Sequence, residues 1–130
     1  MPVVLKIDTR RKIVYSAFYG KLTDAELMDH REAIAADPDF NPKYSEIVDF
    51  SAVTEANISN ATLTAMASAP SLYDENVMHI VVTPSPALVQ MVSKFRDLAL
   101  SSRPNLVMVR TREEAYEEIA KIAGIAKSDN

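Results

Sequence analysis

The sequence predicts one α/β domain, in which a mixed sheet of about five strands is flanked by four helices. Two observations support this prediction. An opening strand pair and a first helical segment are followed by three units in which a short apolar run precedes a segment of helical periodicity. A length of 130 residues and an apolar content of 48% suit a single hydrophobic core. We therefore expect residues 1–130 to form one domain, with residues 125–130 as a frayed tail.

The N-terminal segment predicts an antiparallel hairpin. Residues 3–8 and 13–19 are rich in β-branched and aromatic side chains, and a short polar turn joins them. Gly20 is expected to end the second strand. So short a connection permits only antiparallel pairing.

Each predicted helix has a recognisable start. Polar residues that can accept free backbone amides stand directly before the helical segments, at Thr23, Ser59, Ser85 and Thr111. Glutamates three residues after Thr23 and Thr111 complete two capping-box patterns. The expected helix ends are Asp37, Pro70, Ser101 and Gly124.

Three further strands are predicted between the helices, at residues 46–50, 77–82 and 106–109. Residues 77–82 form the most apolar run of the chain, as expected of a central strand covered on both faces. Residues 51–57 read as a loop. Because a helix follows each of these strands, we expect parallel pairing with right-handed crossovers.

The composition excludes several classes of function. The chain has no cysteine, which removes disulfides, thiolate nucleophiles and cysteine metal sites. Its two glycines cannot build a phosphate-binding loop. A net charge of −4 argues against nucleic acid as a partner. We expect no metal and no cofactor.

The chain lacks the marks of secretion or membrane insertion. Its N-terminus has no basic region followed by an apolar stretch, and no apolar run approaches the roughly 20 residues of a membrane span. These features predict a cytoplasmic protein that does not span a membrane. Exposed strand edges and apolar helix faces leave both a monomer and a homodimer open.

The sequence offers no recognisable catalytic constellation. His30 and His79 are far apart, and we expect His30 at the surface and His79 in the core. A serine nucleophile needs an adjacent base, and neither histidine is expected beside a serine. The prediction is therefore a protein that is not an enzyme.

One stretch resembles a known family. Ile47-Val48-Asp49-Phe50-Ser51-Ala52-Val53-Thr54, followed by residues 55–61, is similar to the strand, loop and helix of STAS domains, the anti-sigma-factor-antagonist fold. The motif Asp-Ser-Ser-Gly of that family falls on Asn57-Ile58-Ser59-Asn60. The order of elements resembles the SpoIIAA-like branch, often labelled STAS/SEC14-like.

The resemblance implies a role for Ser59. This residue matches the serine that a partner kinase phosphorylates in regulatory STAS domains, so it is a candidate phosphoacceptor. A serine directly before a helix is also the preferred N-cap, and this alternative stays open. A capping hydroxyl turns onto backbone amides, whereas a phosphoacceptor must be exposed.

A second candidate site follows from topology, because ligands of open α/β sheets gather at the carboxyl ends of strands. The residues expected to form this binding rim are Asp49, Ser51, Thr54, Asn57, Thr83, Ser85 and Arg110. The alternative is that its serines are ordinary helix caps.

Two functions are compatible with these observations. The first is a regulatory or interaction module that contacts an unknown protein partner near residues 47–63, which requires an exposed apolar patch there. The second, suggested by the SEC14-like branch, is binding or carriage of a small lipophilic molecule. Adaptable side chains that could line its pocket are Met28, Met66, Met91 and Met108.

Overall fold

A five-stranded mixed sheet forms the centre of the protein in a computed structural model, which describes residues 3–128 and their side chains as far as residue 121. The strands lie side by side in chain order: β1 (Val3–Asp8), β2 (Ile13–Thr23), β3 (Ser45–Asn57), β4 (His79–Val82) and β5 (Leu106–Val109). The helices are α1 (Asp24–Ala36), α2 (Asn60–Ser68), α3 (Pro86–Leu98) and α4 (Arg112–Ser128). Only β1 and β2 pair antiparallel, and all later pairs are parallel, which confirms the predicted fold class.

The helices divide unequally between the two faces of the sheet. Connections of one handedness between successive neighbouring strands bring their helices to the same face. Helices α1, α2 and α3 accordingly pack on one face, where the buried core includes Phe18, Leu22, Leu27, Phe50, Leu63, Val81, Leu88, Val92 and Leu106. Helix α4 covers the other face, over Ile13, Ile47, Ile80, Val82 and Val109.

The local signals of hairpin and caps are confirmed. The Asp8 carboxylate accepts the backbone amides of Arg10 and Arg11, and Lys12 adopts a φ of 63° to reverse the chain. The four predicted caps each accept an amide three residues on, at distances of 3.1–3.4 Å, and they are Thr23, Ser59, Ser85 and Thr111.

Strands β2 and β3 are longer than predicted. The expectation that Gly20 ends β2 is wrong, since the strand continues to Thr23. Gly20 takes a φ of 74° beside a shift of register, so it bends the strand without ending it. The expected loop 51–57 is likewise strand, paired with β2 as far as Thr23 and Asn57. We call residues 19–23 and 51–57 the ribbon.

Three other boundaries differ from prediction. Strand β4 begins at His79, and α3 ends at Leu98. Helix α4 passes Gly124 and reaches Ser128, so Gly124 is not its end. The predicted frayed tail thus begins inside this helix, and residues 129–130 lie outside the described residues.

Candidate functional site

An apolar cavity of about 130 Å³ lies between the sheet and helices α1, α2 and α3. Apolar side chains from β2 to β5, from the three helices and from the segment after α2 form most of its wall: Phe18, Leu27, Ile34, Val48, Phe50, Leu63, Met66, Leu72, Val81, Met91, Val92, Phe95 and Leu106. An engineered cavity of roughly 150 Å³ with such a lining stays dry and binds benzene. This space is therefore large enough for one small apolar group.

One end of the cavity holds a buried carboxylate. Glu46 of β3 has a side chain that is only 14% exposed, and its Oε1 lies 2.8 Å from Nδ1 of His79. The Tyr73 hydroxyl donates to Oε2 of the same carboxylate at 3.0 Å. Burial alone would raise the pKa of Glu46, but the contacts with His79 and Tyr73 outweigh it and lower the pKa. The carboxylate is therefore ionised, and both of its oxygens are occupied.

Two arginines lie at the same end. Arg31 of α1 donates from one terminal nitrogen to the Pro70 carbonyl at 2.6 Å, but its Nε is buried and has no hydrogen-bond partner among the described residues. Arg103, after α3, stacks over Phe95 at 5.3 Å. Both side chains line the cavity and both residues are partly exposed, so this end lies close to the surface.

His30 is buried, which contradicts the expected surface position. Its Nε2 lies 2.5 Å from Oγ of Ser16, so a histidine does stand beside a serine, contrary to expectation. Ser16, however, is fully buried beneath α1 and does not line the cavity. His30 also packs edge-on against Phe18 at 4.9 Å. The pair fixes α1 on the sheet and presents no accessible nucleophile.

The burial of His30 predicts a loss of stability on mild acidification. Burial lowers the pKa of His30 below its ordinary value of 6.5, while the nearby Glu46 opposes the shift. The unfolded chain therefore binds more protons than the folded chain just below pH 6.5, and stability falls as the pH falls through that value. Thermal unfolding between pH 7.5 and 5 should show this decrease.

The variant His30→Gln tests the assignment, because glutamine keeps a polar contact with Ser16 but does not titrate. This variant should show little of the decrease in stability between pH 7.5 and 5. The pKa values of Glu46 and Asp49 are lowered, so these carboxylates affect stability only at more acidic pH. There, their protonation removes the stability that their hydrogen bonds supply. An unchanged decrease near pH 6.5 in the variant would contradict the prediction.

Asp49, a predicted rim residue, lies on the α4 face of the sheet. It is 1% exposed and accepts hydrogen bonds from the Tyr15 hydroxyl at 2.7 Å and from Arg112 Nε at 3.0 Å. The Ser51 amide donates to its other oxygen at 2.8 Å, and the Ser51 hydroxyl contacts that oxygen too. Burial raises the pKa of Asp49, but these hydrogen bonds outweigh it and the pKa is lowered. This cluster ties α4 to β2 and β3.

The other rim residues do not converge on a site with it. Thr83 is buried and bonds to the Val109 carbonyl, and Ser85 caps α3. Arg110 is exposed after β5. Thr54 and Asn57 are exposed along the ribbon. Of the predicted rim, the structure brings together only Asp49 and Ser51.

Ser59 shows both the hydrogen bond expected of a helix cap and the exposure expected of a phosphoacceptor. Its hydroxyl accepts the Thr62 amide at 3.1 Å, as a cap does, yet the residue is exposed. Its own amide donates to Asp24 of α1 at 2.9 Å, which joins the starts of α1 and α2. Within residues 47–63, all of which the structure describes, no large apolar side chain is exposed. The nearest is Tyr19, which pairs with Ala52 in the ribbon.

The sequence reasoning found part of the cavity and missed its polar end. Met66 and Met91 line the cavity, Met28 is exposed, and Met108 packs against the same core from β5. The burial of Glu46 could have been predicted, because side chains alternate along a strand and Glu46 lies on the same face of β3 as Val48 and Phe50. Tyr73 and Arg103 lie outside helices and strands, where no periodicity marks them.

Among the described residues, no group of three or more histidine or acidic side chains is arranged to hold a metal ion. In the same part of the chain, no helix has both the length and the apolar character needed to cross a membrane. Comparison with known protein families finds no matching family model, and comparison with curated proteins finds no match.

Proposed function

We propose that this domain binds a small lipophilic molecule in the cavity between the sheet and helices α1, α2 and α3. The observation that carries the proposal is the cavity itself: about 130 Å³ of space with a mostly apolar wall. Water gains few hydrogen bonds in such a space, whereas carbon atoms of a ligand gain dispersion contacts with the lining. Methionines on α2 and α3 can adjust to the shape of the ligand.

The cavity also suits binding better than catalysis. Its buried carboxylate has both oxygens occupied by His79 and Tyr73, and its one serine–histidine contact is sealed beneath α1. These groups hold the wall in place and leave the apolar surface available to a ligand. Toluene, which matches the size of the space, is a suitable first probe.

Filling the cavity should abolish binding. Met91 lines the cavity, and in the variant Met91→Trp the indole should occupy the space of the ligand. We expect the affinity for toluene, measured from amide chemical shifts, to fall by more than about tenfold, with a stability loss of about 1–3 kcal/mol from overpacking.

Val89→Trp is the matched control, because Val89 lies on the same helix, is 37% exposed and does not line the cavity. It should bind toluene as the parent protein does. Toluene that shifts no cavity residue in the parent protein, or that binds Met91→Trp unchanged, would refute the proposal. Native mass spectrometry of freshly purified protein would identify a ligand that co-purifies.

A second candidate function is a STAS-like interaction module. The described residues 47–63 expose no large apolar side chain, so such a module would act through the backbone of the ribbon instead of the apolar patch expected from the sequence. Strand β4 pairs with β3 only from Glu46 to Asp49, whereas in the described part of the chain residues 51–57 pair only with β2. The ribbon thus offers a strand edge to which a partner strand can add, in a second copy of this chain or in another protein.

Introducing charge on the ribbon tests this candidate. Ala56 is exposed on β3. If two copies associate through the ribbon, Ala56→Lys places like charges on both of them and should raise the dissociation constant of the dimer about tenfold. Sedimentation measures this constant. Ala33→Lys, at an exposed position of α1, is the control. Equal effects of the two variants, or a parent protein that stays monomeric, would argue against self-association through the ribbon.

A further inference from the structure

The polar end of the cavity has an excess of positive charge. Two guanidinium groups, of Arg31 and Arg103, line it together with a single carboxylate, that of Glu46. Burial lowers the pKa of His30, which leaves that imidazole neutral near pH 7. The carboxylate accepts from His79 and Tyr73, and within the described residues no hydrogen bond joins it to either arginine.

Arg31 is also incompletely satisfied. Its terminal nitrogen is held by the Pro70 carbonyl, which fixes the plane of the guanidinium, but its buried Nε donates to nothing in the described chain. A buried donor without a partner is unfavourable, and more so when it is charged. Burial lowers the pKa of Arg103, the Glu46 carboxylate opposes that shift, and the positive charge of Arg31 adds to it, so both charged groups lie near Arg103.

We propose that the ligand is a small amphipathic carboxylate, whose apolar part fills the cavity and whose carboxylate binds between Arg31 and Arg103. One monoanion offsets positive charge of the two guanidinium groups and can accept charge-assisted hydrogen bonds from them. The volume of the cavity limits its apolar part to about one benzene ring or a similarly short alkyl chain. This inference rests on the proposed function and adds the charge and size of the ligand.

Three probes that share one benzene ring separate charge from apolarity: benzoate, benzyl alcohol and benzylamine. In amide chemical-shift titrations, the carboxylate should bind about tenfold tighter than the alcohol, and the amine should bind weakest, because charge-assisted hydrogen bonds form only with the anion. Equal affinity of acid and alcohol, or a preference for the amine, would refute the carboxylate while leaving the apolar cavity as a binding site. If none of the probes shifts cavity residues, both proposals fail.

Variants locate the anion. In Arg103→Met and in Arg31→Lys the ratio of acid to alcohol affinity should fall toward one, since the lysine keeps the charge but lacks Nε. The ratio is measured within each variant, so a general loss of stability does not mimic the result. Arg110→Gln removes a positive charge outside the cavity and should keep the full ratio. A ratio that persists in both cavity variants would contradict the assignment.

Discussion

Replacing His79 with leucine should lower the free energy of unfolding by about 3–5 kcal/mol, because it leaves a buried carboxylate without its main partner. The His79 side chain is 3% exposed, and its Nδ1 is 2.8 Å from Glu46. After the substitution Tyr73 alone would donate to that carboxylate. Urea denaturation followed by circular dichroism measures the loss.

A double-mutant cycle separates the unpaired charge from lost packing. Glu46→Gln removes the charge but keeps an acceptor for the Tyr73 hydroxyl, so in that background His79→Leu should cost at least about 1–3 kcal/mol less than in the parent protein. The edge-on contact between Tyr73 and His79, at 4.9 Å, is lost in both backgrounds and cancels. Equal costs in the two backgrounds would show that the histidine acts through packing and not through the carboxylate.

The same pair explains why the cavity has a polar end at all. Glu46 and His79 are register partners on neighbouring strands, and both side chains point to the face covered by α1, α2 and α3. An ionised group at this position holds β3 against β4 only while its hydrogen bonds are complete. The cavity therefore has a rigid polar end and, on α2 and α3, a wall of adaptable methionines.

The features predicted from the sequence are those encoded by local contacts. A cap needs only a side chain and an amide three residues on, so Thr23, Ser59, Ser85 and Thr111 were readable before any fold was known. The hairpin is similarly local. The directions of strand pairing were also predicted, since a short hairpin connection requires antiparallel strands and strand–helix–strand units favour parallel ones.

The features that were missed depend on partners distant in sequence. Residues 51–57 carry small and polar side chains that read as a loop, yet they form strand because β2 continues past Gly20 and supplies hydrogen bonds. The burial of His30 likewise requires Ser16, which lies on a strand that α1 must first cover. Glu46 is ionised in the interior because of His79 and Tyr73, which are 33 and 27 residues away.

The structure does not bring most of the predicted rim residues together, for a related reason. The carboxyl ends of β3, β4 and β5 do meet at one edge, but β3 runs on into the ribbon and carries Thr54 and Asn57 away from that edge. At that edge Asp49 is already bonded to three neighbouring residues, and Ser85 caps α3. The cavity on the opposite face of the sheet is therefore the better candidate for ligand binding.

Replacing Asp49 with alanine should cost about 2–4 kcal/mol, since each hydrogen bond to a charged group contributes about 1.5–3 kcal/mol and the part-buried Tyr15 hydroxyl would lose its acceptor. Arg112→Gln is the matched comparison. Its side chain is 55% exposed, so water replaces much of its interaction and the loss should stay below about 1 kcal/mol.

Because the pKa of Asp49 is lowered below its ordinary value of 3.8, the alanine variant should also lose less stability than the parent protein as the pH falls through the folded pKa. If Asp49→Ala costs no more than Arg112→Gln, the buried carboxylate does not anchor α4, and the apolar contacts of Ala115, Tyr116 and Ile119 hold that helix on the sheet by themselves.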